Sequence, residues 1–234
     1  MNLHDYNVNI FCVIPSYNEE DHIVEVIKDV KKITKNIIVV DDSSTDNTYS
    51  LAKSQKVTVL RHIINRGQGA SLQTGNEYAY SNNADIVVHF DADGQFKAEE
   101  IKDIIKPIIN NKADIVFGSR FLEKKSKIPK LKKIIILPLA KLINKIFFGI
   151  NLTDPQNGFR AINRKALETI KIENDGAAHC NEILIKSFKN NLRIKEVPVS
   201  VIYNHFGQNI LNGKGRGAGG IKIIKDLIIG RFIN

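Results

Sequence analysis

The chain alternates short, unbroken apolar runs with longer segments whose apolar residues recur every three or four positions. The short runs are Ile10–Ile14, Ile37–Val40, Val57–Leu60, Ile86–Phe90 and Ile115–Phe117, all rich in branched side chains. Between them lie Glu19–Ile33, Asn47–Ser54, Ala70–Ser81 and Ala98–Ile109, which have helical length. Unbroken β-branched runs separated by helices predict parallel strands buried on both faces. The expected fold class is α/β, a doubly wound, mostly parallel sheet with helices on both faces.

Each predicted strand but one ends in a compact polar string. Pro15-Ser16-Tyr17-Asn18-Glu19-Glu20 follows the first and Asp41-Asp42-Ser43-Ser44-Thr45-Asp46 the second. Asn65-Arg66-Gly67-Gln68-Gly69 comes a few residues after the third, Asp91-Ala92-Asp93-Gly94-Gln95 follows the fourth, and Gly118-Ser119-Arg120 the fifth. Ligands of such sheets bind outside the carboxyl ends of the strands, so these strings predict one shared site.

Beyond Arg120 the pattern changes. Six lysines fall between Lys124 and Lys133, and Ile134 to Ile150 is rich in Ile, Leu and Phe, with Pro129 and Pro138 interrupting any long helix. Asp154-Pro155-Gln156-Asn157-Gly158-Phe159-Arg160 comes next, then two short helices and a strand near Arg193–Val201. A glycine-rich stretch, Gly213 to Gly220, precedes a basic amphipathic tail, so C-terminal amphipathic helices are expected. The predicted division is a main domain over residues 1–204 and a loop and tail over 205–234.

Composition narrows the picture. With 43% hydrophobic residues among 234, the chain can bury a core without staples. Its two cysteines, Cys12 and Cys180, have no framework spacing, which fits a reducing cytoplasm. No signal peptide is read at the N-terminus, and no apolar run reaches the length of a spanning helix. The expected location is cytoplasmic, extending to a peripheral place on the membrane's cytoplasmic face. The net charge of +9 suits phosphorylated ligands and an anionic membrane surface. Aromatics are 7% with no Trp, and no stacking motif accompanies the basic residues, so nucleic acid is not expected as a partner.

The candidate chemistry centres on Asp91-Ala92-Asp93. Two carboxylates one residue apart beyond a buried strand either converge on one hard cation, Mg²⁺ or Mn²⁺, or cap the following helix. Gln95 offers a further oxygen. Asp41 and Asp42 end a strand where acidic groups accept hydrogen bonds from a ribose or base; the loop also offers Ser44, Thr45 or Asp46 to cap the next helix, and both readings can hold together. Pro15, Tyr17, Asn18 and Glu19 present an aromatic face and polar groups to a nucleobase, or form a turn and helix start. Asn65 and Gly69 open a helix at which a ligand can approach the backbone. Arg120 suits a diphosphate or a surface ion pair, and Asp154 and Glu182 are the carboxylates left for acceptor-side work. The first strand lacks a Gly-x-Gly-x-x-Gly turn, which disfavours a dinucleotide cofactor.

In this order, Val13-Ile-Pro-Ser-Tyr-Asn-Glu-Glu20, Val40-Asp-Asp-Ser-Ser-Thr-Asp46, Asn65-Arg-Gly-Gln-Gly-Ala70, Asp91-Ala-Asp-Gly-Gln95, Gly118-Ser-Arg120 and Asp154-x-x-x-Gly-Phe-Arg160 resemble glycosyltransferase family 2, of GT-A fold. The likeness is closest to its polyprenyl-phosphate sugar synthases and runs from about Phe11 to about Val201. It implies an inverting, metal-dependent hexosyltransferase that moves a sugar from a nucleoside-diphosphate sugar to a polyprenyl phosphate; the alternatives are a saccharide hydroxyl acceptor or a non-catalytic membrane-docked scaffold.

The resemblance places Pro15, Tyr17, Asn18, Glu19, Asp41, Asp42, Asn65, Gly69, Asp91, Ala92, Asp93 and Arg120 around the nucleotide-sugar. It places the metal on Asp91, Asp93 and Gln95, and catalysis on Asp154, Arg120 and Glu182. Arg160 would meet the acceptor phosphate. Three departures stand out. Ser43 occupies a usual Gly position and Asn157 a usual Ser. Asn204 and Ile210 stand where the synthases carry Arg and Lys, so Lys214 and Arg216 are the substitutes expected for the acceptor phosphate.

Overall fold

A computed structural model describes residues 8–122 and 152–202 of the chain. The strands are β1 (Ile10–Ser16), β2 (Asn36–Asp41), β3 (Thr58–Arg61), β4 (Ile86–His89), β5 (Ile115–Ser119), β6 (Arg160–Asn163) and β7 (Ile194–Pro198). The helices are α1 (Ile23–Lys31), α2 (Thr48–Ser54), α3 (Gln68–Ser81), α4 (Ile101–Ile109), α5 (Arg164–Thr169) and α6 (His179–Lys189). One sheet runs β3-β2-β1-β4-β6-β5-β7. Every neighbouring pair is parallel except the two that β6 makes, with β4 and with β5. The expected α/β sheet, mostly parallel, is therefore present.

Strand side chains alternate between two cores. Ile10, Cys12, Ile14, Ile37, Val39 and Val88 pack with α1 and α4 on one face. Phe11, Val13, Ile38, Val40, Val87 and Phe117 pack with α3, α5 and α6 on the other. Alternation is dictated by the two-residue period of a strand, and apolar residues on both faces require cover on both. The helices supply it by spacing: Ile23, Val26, Ile27 and Val30 of α1, and Ile101, Ile104, Ile105 and Ile108 of α4, lie on one stripe. Each such side chain contributes about 1.5–3 kcal/mol by leaving water.

Two expectations need correction. The helix read over Glu19–Ile33 begins only at Ile23, because Glu19 to His22 form a turn in which the Glu19 carbonyl accepts from the amides of His22 and Ile23. Strand β6 was not foreseen. Its four residues, with charged Arg160 leading, carry no period long enough to read, and their partners β4 and β5 are far away in sequence. The segment from 124 to 150, the division at 204/205, Lys214, Arg216 and the tail lie outside the described residues.

Candidate active site

The carboxyl ends of β1, β2, β4 and β5 and the amino end of antiparallel β6 share one edge of the sheet. Asp91 and Asp93 lie just past β4. Their loop is anchored by aromatic packing: Phe90 meets Phe159 edge-on at 5.3 Å and Phe96 at 5.9 Å between ring centroids. Within the loop, Asp93 Oδ1 accepts the Gln95 amide at 3.0 Å. The Gln95 carbonyl in turn accepts the amide of Ile202 at 2.9 Å, so its backbone ties this loop to the end of the described chain. Ala92 is buried between the two carboxylates.

Asp91 is crowded. Its Oδ1 accepts from Gln68 Nε2 at 2.8 Å, and a Cβ placed on Gly158 would lie 2.5 Å from its Oδ2. A side chain at 158 would push this carboxylate aside, so glycine there lets the segment leading to β6 pass close against it. Burial, then the charge of Asp93, push the Asp91 carboxyl up to about 7, while Arg160 pulls the other way. A divalent cation between the two aspartates relieves that repulsion, so the residues fit Mg²⁺ or Mn²⁺. Among the described residues no third His, Cys, Asp or Glu joins them. The remaining ligands would then be oxygens of substrate and water, the usual habit of these hard ions.

Asp41 is fully buried at the end of β2, with Oδ2 3.1 Å from Arg61 Nε. Its Oδ1 has no hydrogen-bond partner. Leaving a buried acceptor unmet is costly, so this oxygen is suited to a ligand N–H or O–H. Tyr17 lies half-buried on the neighbouring loop, and Pro15 is buried in β1.

Four residues expected around the nucleotide are engaged by the protein itself. Asp42 Oδ1 accepts the Arg66 amide at 3.0 Å and faces His62 Nδ1 at 2.7 Å, while Oδ2 accepts the Gly67 amide at 2.6 Å. Its carboxylate thus shapes the loop from 62 to 67. Asn18 Oδ1 accepts from the Thr45 amide at 2.9 Å, stitching the loop after β1 to the loop after β2. The Glu19 amide donates to Thr48 Oγ1 at 2.7 Å. Gly69, read as an opening for ligand, instead receives protein backbone: its Cβ would sit 1.9 Å from the Asn174 carbonyl oxygen, and its amide donates to the Asp175 carbonyl at 2.9 Å. Asn65 is exposed on the same loop.

On the β5 side, Asp154 is 2% exposed and grips Arg120. Its Oδ2 accepts from Arg120 Nε at 2.6 Å and from the Arg120 amide at 3.1 Å, and its Oδ1 accepts from Nη2 at 2.7 Å. Asn157, in its unusual place, caps the turn by accepting the Phe159 amide at 3.0 Å. Glu182 does not join this group. Its two oxygens accept the amides of Glu173 and Asn174 at 2.9 and 2.8 Å, and Lys186 lies 2.8 Å away, so it holds the loop that meets Gly69. Both oxygens of this carboxylate, named for catalysis on the sequence, are thus already engaged.

Arg160 lies deeper than Arg120. Its side chain is fully buried, paired across the sheet with His89, and donates to the Asn157 carbonyl at 3.0 Å and Cys180 Sγ at 3.2 Å. It is a buried cation whose Nη1 has no hydrogen-bond partner. Burial alone would raise the Cys180 thiol, but Arg160 and His179 outweigh it and bring it down to about 6. Gln68, Gly158 and Glu196 also shape this site without having been nominated; Gln68 and Gly158 carry a signal as members of the strings quoted above, and Glu196 carries none.

A model of glycosyl transferase family 2 matches residues 11–171. The chain belongs to that family. This glycosyltransferase is 36% identical, over 87% of its length and 91% of the relative's, to the UDP-N-acetylglucosamine–dolichyl-phosphate N-acetylglucosaminyltransferase of Methanococcus voltae. It is 27% identical to the undecaprenyl-phosphate mannosyltransferase of Micrococcus luteus, covering 88% of both chains. In fold it resembles glucosyl-3-phosphoglycerate synthase from Mycobacterium tuberculosis, solved with Mn²⁺, UDP and glucosyl-3-phosphoglycerate, at a TM-score of 0.72 and 19% identity over 97% of this chain and 81% of that one. Among the described residues of the glycosyltransferase, no helix is long and apolar enough to cross a membrane.

Proposed function

We propose that this enzyme transfers a sugar from a nucleoside-diphosphate sugar to a polyprenyl phosphate, inverting the anomeric carbon, with Mg²⁺ or Mn²⁺ held by Asp91 and Asp93. One observation carries the choice of acceptor: both carboxylates nominated to take a proton are already committed. Asp154 gives both oxygens to Arg120, and Glu182 gives both to backbone amides. A hydroxyl acceptor needs a base within reach. A phosphate is an anion at neutral pH and needs none. The named acceptors of the Methanococcus voltae and Micrococcus luteus relatives support the same reading.

In this account Asp41 Oδ1 and the Tyr17 ring receive the nucleoside. The bound cation would supply Lewis-acid neutralisation of the departing diphosphate. Arg120, fixed in direction by Asp154, adds positive charge where the phosphates gather, an electrostatic contribution made in advance of the reaction. Buried Arg160 adds a field from below, and Lys214 and Arg216 are the proposed direct contacts to the acceptor phosphate. The basic, apolar stretches at 124–150 and 221–232 suit an anionic membrane surface, where each basic residue contributes about 1 kcal/mol.

The test is a panel of nucleotide-sugars incubated with the full chain, Mg²⁺ or Mn²⁺ and a short polyprenyl phosphate. The expected result is a lipid-linked sugar from one donor, reduced about 100-fold or more in Asp93→Ala. Lipid product that persists without a divalent ion would refute the metal assignment. Donor turnover with no lipid product would refute the acceptor.

A further inference from the structure

Glu196 lies on β7, beside Phe117 of β5 in the sheet. Its half-buried carboxylate points to the loop that carries Asp154 and collects three donors there. Oε1 accepts from the Thr153 amide at 2.8 Å, Thr153 Oγ1 at 2.9 Å and the Asp154 amide at 2.9 Å, and Oε2 accepts again from the Thr153 amide at 2.9 Å. Hydrogen bonds to an ionised acceptor are roughly twice as strong as neutral ones.

Two routes lead from this carboxylate to Arg120. The first runs through the Asp154 backbone to the Asp154 carboxylate, which holds the Arg120 amide and guanidinium. The second runs through hydroxyls. Thr153 uses its proton on Glu196, so Ser119 Oγ, 2.5 Å away, must donate to Thr153, and Ser119 Oγ itself accepts the Phe121 amide at 3.1 Å. The residues on either side of Arg120, Ser119 and Phe121, are thereby tied to the same carboxylate.

We propose that Glu196 is a positioning residue for sugar transfer, acting through Thr153 and Asp154 to fix the direction of the Arg120 guanidinium. This rests on the reading of Arg120 as the cation that faces the diphosphate. A purely structural Glu196 would matter to the sheet edge alone. Yet β7 is already joined to β5 along its backbone from Ile194 to Pro198, and the carboxylate adds nothing to that ladder.

The experiment replaces Glu196 in the full chain. Glu196→Gln keeps the shape but removes the negative charge from the acceptor and sets an NH₂ donor against the Thr153 amide that Oε2 now accepts; Glu196→Ala removes the carboxylate. Two readouts are taken: kcat and KM for the nucleotide-sugar, and the Arg120 Nε–H resonance, identified by its loss in Arg120→Lys. The expected result for Glu196→Gln is a kcat about 30-fold lower, a donor KM changed less than about threefold, and a displaced or exchange-broadened Arg120 resonance. Combined with Arg120→Lys, the substitution is expected to add little, because the two act as one unit.

An Arg120 resonance unchanged in both variants overturns the proposal, whatever the kinetics. So does a lower melting temperature with kcat per folded molecule intact. If the wild-type enzyme makes no lipid product while the Arg120 resonance still moves in Glu196→Gln, the acceptor reading fails and the positioning role stands.

Discussion

Ser43 stands where the resemblance leads one to expect glycine, and the backbone gives a reason for that preference. Its φ is 63°, in the left-handed region that costs an L residue about 1–2 kcal/mol. Glycine there escapes the clash but loses more freedom on folding. The Ser43 hydroxyl returns only one long hydrogen bond, 3.3 Å to the Ile63 carbonyl. Ser43→Gly is expected to stabilise the fold by about 0.5 kcal/mol, raising the melting temperature by about 1–2 °C. A fall of the same size, measured by thermal unfolding, would show that the hydroxyl outweighs the strain. At Gly69 the sign reverses. A methyl group there collides with the Asn174 carbonyl, which belongs to backbone and cannot swing aside. Gly69→Ala is expected to cost about 1–3 kcal/mol, lowering the melting temperature by several degrees.

Between elements, Asp114 ties the start of β5 to the start of β7 and the end of β6. Its carboxylate takes the Arg193 amide, Nε and Nη2 ahead of β7 at 2.8, 3.1 and 2.8 Å, and Asn163 Nδ2 at the end of β6 at 3.0 Å. The Arg193 hydrogen bonds hold its carboxyl well below the usual carboxylate range, against a smaller opposing effect of burial. A depressed folded value means that the contribution is complete above the unfolded value of about 3.9 and fades as pH falls toward the folded one. Asp114→Asn is therefore expected to be less stable than wild type at neutral pH, with the gap narrowing between about pH 5 and pH 2. Denaturant unfolding at several pH values measures it, and a gap that stays constant down to pH 2 would rule out this linkage. Elements of this kind show where the sequence was legible. Strands β1, β2, β4 and β5 announced themselves because each is an apolar run long enough to need two covers. Strand β6 did not, because its pairing is long-range and its first residue is a buried arginine. The glycines at 67 and 69 were recognisable as close approaches, but whether a ligand or a distant loop arrives there is decided by residues 174 to 176, more than a hundred positions on. Glu182 and Asp42 stood out as carboxylates, but besides Lys186 and His62 they hold backbone amides, which no side-chain pattern reveals.

For the whole molecule, the doubly wound sheet gathers its functional residues at one edge by topology. Asp41 stands after β2, Asp91 and Asp93 after β4, Arg120 after β5, and Asp154 before β6. Antiparallel β6, inserted between β4 and β5, brings Gly158 against Asp91 and sets buried Arg160 beneath the paired aspartates. In the proposed account the donor side is built from unmet or crowded acceptors together with Arg120, a cation already clamped by Asp154. An acceptor that brings its own negative charge suits such a site, whereas a neutral alcohol would need a base that neither Asp154 nor Glu182, both engaged, is free to supply. The most direct measurement offers the enzyme, with Mg²⁺ and its nucleotide-sugar donor, a polyprenyl phosphate and the corresponding free polyprenol in parallel. The account predicts sugar on the lipid phosphate and none detectable on the alcohol; comparable transfer to the alcohol would contradict it.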